Sequence, residues 1–300
     1  MLFLHNAKLF SFKSNFIHPI KIETIEKPIY YIDNSTKTKI PLAHSFTLTA
    51  FPEKPQTTFY ESKDILDERL LPFKRRMSKQ EFEKGVRLLQ ALSKAFKQNN
   101  VTWWLSHGTL LGQQYFQSVI PWDDDIDIKV VGAQLSIFRI LSDFCRNNPT
   151  FKVSTFNSKN RMKIIKFYFR NGDEISGFTH KFPFVDIFPV QIGEKRVKHV
   201  TNALSREENL EDLFPLKNGL FGSFLFPIPR KPLKILTQNY FRGYGYWKYC
   251  INGYDHRRER ATKRSKILAK YLFERYGFFD HEIKTFKKPG GDFAYALTDI

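Results

Sequence analysis

From Ser78 the chain takes on a regular pattern. Phe82, Val86, Leu89, Leu92 and Phe96 recur every three or four residues, with polar side chains between them. That period gathers them on one face of an amphipathic helix. Ser78 and Glu81 stand at capping-box spacing, and the polar run Lys97-Gln98-Asn99-Asn100 ends the helix. Val101–Ser106 predicts a short buried strand, and Gly108 and Gly112 bracket a tight turn, or one helical turn, after it. Ile126, Ile128 and Val130 then alternate with Asp125, Asp127 and Lys129, which predicts a strand with one apolar and one charged face. Ile137, Ile140, Leu141, Phe144 and Cys145 give a second amphipathic helix over about 133–146, its stripe widened by Leu135 and Phe138. Strands follow over Phe151–Phe156, Arg161–Phe169 and Phe182–Ile192; in the last, Phe184, Asp186 and Phe188 share a face.

The ends read differently. Prolines at 19, 28, 41, 52, 55 and 72 break residues 1–75 into short apolar runs, an irregular extension with a short strand at Lys27–Asp33. Past residue 192 come a charged connector, a Pro/Gly/Phe-rich stretch and a basic region. From Arg230 onward there are 16 Lys/Arg against 7 Asp/Glu, and His256–Lys266 is expected on an exposed helix face. The expected organisation is an extension over 1–75, a central domain over 76–250 and a basic C-terminal extension over 251–300. The fold class is α+β: a mixed β-sheet flanked by helices, with an irregular N-terminal extension and a helical basic C-terminal region.

With 300 residues and a 42% hydrophobic composition, the chain is a folded one. Its net charge of +18 suits a polyanionic partner: nucleic acid, an anionic membrane surface or a phosphate-bearing substrate. Two cysteines, Cys145 and Cys250, form neither a disulfide framework nor a zinc site; Cys145 is expected to be a buried thiol. No run of about 18 apolar residues predicts a membrane-spanning helix, and His5, Asn6 and Lys8 break the apolar N-terminus, so no signal peptide is expected.

Against this basic background, Asp123, Asp124, Asp125 and Asp127 fall within five positions. Strand alternation sets Asp125 and Asp127 side by side, about 7 Å apart. Two such carboxylates call for a cation between them, and Mg²⁺ or Mn²⁺ takes oxygen ligands of this kind. A calcium loop fails at Ile128 and Gln134, where glycine and glutamate are required. The Asp-x-Asp of sugar-nucleotide glycosyltransferases holds a metal in the same manner and stays open. Gly108-Thr109 offers backbone N–H groups to a phosphate. Asp186, flanked by apolar residues on a strand, is a third candidate carboxylate. Lys163 and Lys166 face opposite sides of one strand, and Lys163 is taken as the phosphate contact. His107 and Trp122 are candidate donor contacts, each also readable as a buried ring, the reading favoured for Trp122.

Gly-Thr after a buried strand, then Asp-apolar-Asp-apolar on the next, resembles the nucleotidyltransferase-fold superfamily. His107–Gly112, Ile120–Asp127, Phe184–Pro189 and the later Leu213-Phe214-Pro215-Leu216 resemble the LicD/fukutin family. The resemblance implies a metal-dependent phosphotransferase. Such an enzyme moves an alcohol phosphate from a CDP-activated donor to a glycan hydroxyl; fungal relatives are tied to mannosylphosphate addition. Asp125, Asp127 and Asp186 would be the metal and catalytic carboxylates, and Gly108 and Thr109 the phosphate turn. It also implies the secretory pathway if the chain follows its eukaryotic relatives, the cytoplasm otherwise. Many bacterial members carry an arginine where this chain reads Gln113–Val119. A different class of function, nucleic-acid binding, would use His256–Lys266 with Tyr244, Tyr246 and Trp247, but it leaves the aspartates unexplained.

Overall fold

The computed structural model describes residues 29–32, 39–43, 68–157, 163–199, 207–241, 248–281 and 285–287. Strands β1 (Ile29–Ile32) and β2 (Lys39–Ala43) form a hairpin at the start, so the short strand expected near Lys27–Asp33 is present. A 3-10 turn at Glu68–Phe73 leads to α1 (Lys79–Gln98). The capping box forms: Ser78 N donates to Glu81 Oε2 (2.8 Å) and Glu81 N to Ser78 Oγ (3.2 Å). Next come β3 (Trp103–Leu105), α2 (His107–Phe116), β4 (Ile126–Val131), α3 (Gln134–Asn147), β5 (Phe151–Asn157), β6 (Lys163–Glu174), β7 (Lys181–Ile192), β8 (Arg196–His199) and β9 (Glu208–Asn209).

These strands make a seven-stranded mixed sheet in the order β3-β4-β7-β6-β5, with β8 beside the far end of β7 and β9 beside β8. β4 and β7 run parallel, joined through α3, β5 and β6; the other pairs are antiparallel. The expected α+β mixed sheet flanked by helices is what the chain forms. One face lies under α1 and α3 and carries Ile126, Ile128 and Val130, all fully buried. Period-2 alternation therefore sends Asp127 and Lys129 to the opposite face.

Two groups of elements cover that second face, and a hairpin between them in the chain packs instead against α1 and β3. Trp104, Val190, Leu213, Phe214 and Ile235 form a smaller core, built with α4 (Leu210–Leu213) and α5 (Pro232–Leu236). Strands β10 (Lys217–Phe221) and β11 (Phe224–Ile228) form a hairpin that sends Phe221, Phe226 and Ile228 into the main core. A third hairpin, β12 (Tyr249–Asp255) with β13 (Arg260–Leu268), precedes α6 (Ala269–Tyr276), β14 (Phe278–Asp280) and β15 (Thr285–Lys287).

Two local expectations change. The helical turn expected between Gly108 and Gly112 extends into the ten-residue helix α2, which takes the place of the tight turn. The basic run His256–Lys266 is not a helix face. It forms the turn and return strand of β12–β13, and the helix of this region, α6, begins only at Ala269. Tyr244, Tyr246 and Trp247 lie outside the described residues. Cys145 is half-buried, and Cys250 is the fully buried thiol. Among the described residues no helix is long and apolar enough to cross a membrane.

Candidate active site

The sheet register assembles the site. Asp127 of β4 stands opposite Asp186 of β7, and Asp186 stands opposite Lys166 of β6. Three neighbouring strands thus line up two carboxylates and one ammonium, all buried. Lys166 Nζ donates to Asp186 Oδ1 at 2.7 Å and lies 2.9 Å from Glu259 Oε1. It also sits 3.6 Å over the Phe184 ring, which surrounds the cation with π-density. Lys166 is thus a lysine that the described residues bring to the carboxylates. Lys163 heads β6 opposite Asn157, and its side chain lies outside the described residues.

The first turn of α2 lies beside Asp123 and Asp127, at the end of a helix that favours negative charge. Thr109 Oγ1 accepts from Asp127 N at 2.7 Å, and Asp127 O accepts from Ser106 N at 3.1 Å. Both backbone groups of Asp127 are pinned to the helix start. Gly108 is where a carboxylate needs room: a Cβ there would lie 2.8 Å from Asp123 Oδ2 and 3.8 Å from Asp127 Oδ2. Thr109 thus serves first as a tether for the aspartate strand, and Gly108 as space for the carboxylates.

Three elements outside the sheet complete the cluster. Asp124 accepts from the backbone N–H groups of His256 and Arg257, each at 3.2 Å, and lies 3.5 Å from Arg76 Nη1. His256 Nε2 lies 3.2 Å from Asp125 Oδ2. Glu259 Oε1 meets His180 Nε2 at 2.9 Å, and its Oε2 accepts from Tyr254 OH at 3.0 Å. Tyr240, on the turn after α5, is 40% exposed as a residue. Burial of its hydroxyl, then the charges of Asp127, Asp123 and Asp125, raise that group far above the usual phenol range.

The electrostatics are those of crowded carboxylates. Burial, then the charges of Asp186 and Asp124, push Asp125 up to about 8. Burial and the neighbouring carboxylates Asp125, Asp186 and Asp123 hold Asp127 well above its ordinary value. Asp123 is raised for the same reasons. Glu259 goes the other way. Burial opposes its ionisation, but the His180 hydrogen bond and the Lys166 charge outweigh that and bring it down to about 2. Asp125, Asp186 and His256 each bring one donor atom to within 4.8 Å of the others, as do Asp123, Asp124 and His256. Carboxylates that repel one another while metal-free, with an imidazole beside them, fit a divalent ion such as Mn²⁺ or Mg²⁺.

The remaining expected residues are placed elsewhere. His107 packs edge-on against Phe188, ring centroids 4.6 Å apart, with His199 at 5.9 Å. Burial and nearby Lys129 hold its imidazole well below the usual range, so it is neutral. Trp122 is buried among Phe73, Phe116 and Tyr276, the core placement favoured for it. The Gln113–Val119 segment also serves packing: Gln113 Nε2 donates to Leu220 O at 3.1 Å, and Tyr115 stacks on Phe273. The sequence does not mark Glu259 or Tyr240, and it shows Lys166 only as the alternative to Lys163 and His256 only as part of a basic run.

Residues 100–231 match the model of the LicD/FKTN/FKRP nucleotidyltransferase domain. This segment is similar to the domains of the LicD family. An uncharacterized protein of Rickettsia prowazekii is 28% identical over 160 residues, 51% of this chain and 52% of that protein. Another, from Rickettsia typhi, is 26% identical over 155 residues, 51% of this chain and 44% of its own length. The chain spans about half the length of these curated relatives. Among solved structures, the Cid1 poly(U) polymerase with MgGTP bound is 18% identical, with a TM-score of 0.25, over 38% of this chain and 33% of that one. The LicD segment holds the aspartates, Lys166, Gly108 and Thr109; Arg76, Glu81, Tyr240, His256 and Glu259 lie outside it.

Proposed function

We propose that the chain is a metal-dependent phosphotransferase. It moves an alcohol phosphate or sugar phosphate from a nucleotide-diphosphate donor, of the CDP-choline or CDP-ribitol kind, to a hydroxyl of a glycan. The observation that carries this reading is the buried row Asp127–Asp186–Lys166, with Asp125 beside it and the start of α2 facing it. The LicD domain supports the same class of chemistry.

In this scheme Asp125 and Asp186 hold a divalent ion, with Asp127 beside them. A bound ion there supplies charge stabilisation to the diphosphate. The first N–H groups of α2 bind an oxygen of the transferred phosphoryl group. Lys166 keeps Asp186 ionised and oriented through its 2.7 Å contact. Asp127, its backbone pinned at the start of α2, takes the proton of the acceptor hydroxyl. The acceptor oxygen forms its bond to phosphorus as the bond to the leaving nucleoside monophosphate breaks. Transfer of this kind is mostly positioning and charge stabilisation, which a pinned strand and a buried ion pair provide.

Thermal denaturation with CDP or CMP tests the reading. The melting temperature should rise with nucleotide and Mn²⁺ together, and by less with either alone. A rise with single-stranded RNA that does not depend on the ion would favour nucleic-acid binding instead.

A further inference from the structure

The hairpin β12–β13 enters the acidic cleft from outside the LicD-matching segment. Its turn is tied down at several points. Asp124 holds the backbone N–H groups of His256 and Arg257. Arg257 Nη2 reaches Glu81 Oε1 at 2.6 Å, the same glutamate that caps α1, and its guanidinium lies 4.3 Å over the Phe182 ring. Glu259 closes the turn in the left-handed region, at φ 49°, with its carboxylate on Lys166 and His180. A turn held this way presents one side chain to the carboxylates from a fixed direction.

That side chain is His256. We propose that its imidazole is a metal ligand, bound through Nε2 beside Asp125 and Asp186, so that the C-terminal hairpin completes the ion site. The inference rests on the metal-dependent reading above and adds to it a nitrogen donor that the LicD segment does not contain. The 3.2 Å between His256 Nε2 and Asp125 Oδ2 is close to the separation of about 3 Å expected for adjacent ligands of an octahedral ion with bonds of about 2.1 Å. Asp186 completes a triad whose donor atoms lie within 4.8 Å of one another. The ring's other nitrogen, Nδ1, is buried with no hydrogen-bond partner, so Nε2 carries the polar contact of the ring. An imidazole beside two carboxylates favours a first-row transition ion such as Mn²⁺ over Mg²⁺, which prefers an all-oxygen shell.

The test uses the full chain and Mn²⁺ alone. Pulsed electron paramagnetic resonance of bound Mn²⁺ should show coupling to a ¹⁴N nucleus in the wild type. His256→Gln should remove that coupling and weaken Mn²⁺ binding by at least about tenfold, while the melting temperature in EDTA stays close to wild type. Should His256→Gln fail to fold, the wild-type spectrum still decides. Mn²⁺ bound to the wild type without nitrogen coupling, with affinity lost in Asp125→Asn, would overturn the ligand role of His256 and leave the metal reading standing. Nitrogen coupling that survives in His256→Gln would overturn it as well. No Mn²⁺ binding to the wild type at all would overturn both.

Discussion

Asp127 and Asp186 stand directly opposite each other in the parallel β4–β7 pair, and the next strand sets Lys166 against Asp186. Two buried carboxylates at neighbouring ladder positions repel, and a single ammonium offsets part of that. Lys166 is 1% exposed and bridges Asp186 to Glu259 of the hairpin. Lys166→Met would leave two buried carboxylates without their cation. Breaking a buried pair from one side costs about 3–5 kcal/mol, and urea denaturation in EDTA should show a loss of that size. A variant as stable as wild type would mean that the ammonium contributes little to the row.

Thr109 and Asp127 offer a smaller and cleaner test. Thr109→Val keeps the shape and removes the acceptor for Asp127 N. An unpaired buried N–H costs about 1–3 kcal/mol, and transfer activity should fall with it as the aspartate strand loosens. Thr109→Ser keeps the oxygen and should retain most of both. Equal stability of Thr109→Val and wild type would remove the tether from this account.

Gly108 and Gly112 separate function from stability. At Gly108 an added Cβ meets a carboxylate oxygen, the end of a side chain that can swing away. Gly108→Ala should therefore fold well and lose roughly 10²-fold in turnover, since a displacement near 1 Å at a reacting centre is that costly. At Gly112 the Cβ would lie 2.4 Å from Ser118 O and 2.7 Å from Ile120 N, both backbone. Gly112→Ala should lower the melting temperature markedly. Calorimetry alongside turnover distinguishes the two, and the opposite ranking would contradict the roles given to these glycines.

The hairpin contact has a pH signature. Glu259 is lowered from 4.5 to about 2 in the folded chain. Its contribution to stability is therefore fully present above about 4.5, and is lost as the pH falls from there through 2. The other acids titrate in wild type and variant alike, so the difference between wild type and Glu259→Gln isolates this group. Chemical denaturation should show that difference shrinking as the pH drops from 5 toward 2. A difference that stays constant would mean that the Lys166 and His180 contacts do not hold Glu259 ionised.

Much of the site was legible because it is local. The alternation around Asp127 fixed which face the carboxylates take, and the apolar flanks of Asp186 marked a strand interior. What stayed hidden depends on register and on distant contacts. Lys163 and Lys166 differ by parity, but which of them meets Asp186 is set by the β6–β7 pairing, with a bulge between Tyr168 and Asp173. The full length of α2 is not legible because Thr109–Gln114 are all buried, so no polar face marks its period. The hairpin was missed for the opposite reason: Arg260, Ala261, Lys263, Arg264 and Lys266 are all exposed, which erases the alternation of β13. His256 and Glu259 then reach residues about a hundred positions away in the chain, a relation no local pattern carries.

The central claim is that these carboxylates run a metal-dependent phosphoryl transfer from a nucleotide-activated donor. The direct measurement is release of nucleoside monophosphate from CDP-choline, CDP-ribitol, CDP-glycerol and GDP-mannose, with a glycan acceptor, in Mn²⁺ or Mg²⁺ and in EDTA. The account predicts CMP release from at least one CDP-alcohol, dependent on the ion and abolished in Asp125→Asn and Asp127→Asn while both variants stay folded. Release that persists in EDTA or in either variant would contradict it, and transfer of mannose alone with loss of GDP would replace it with a glycosyltransferase.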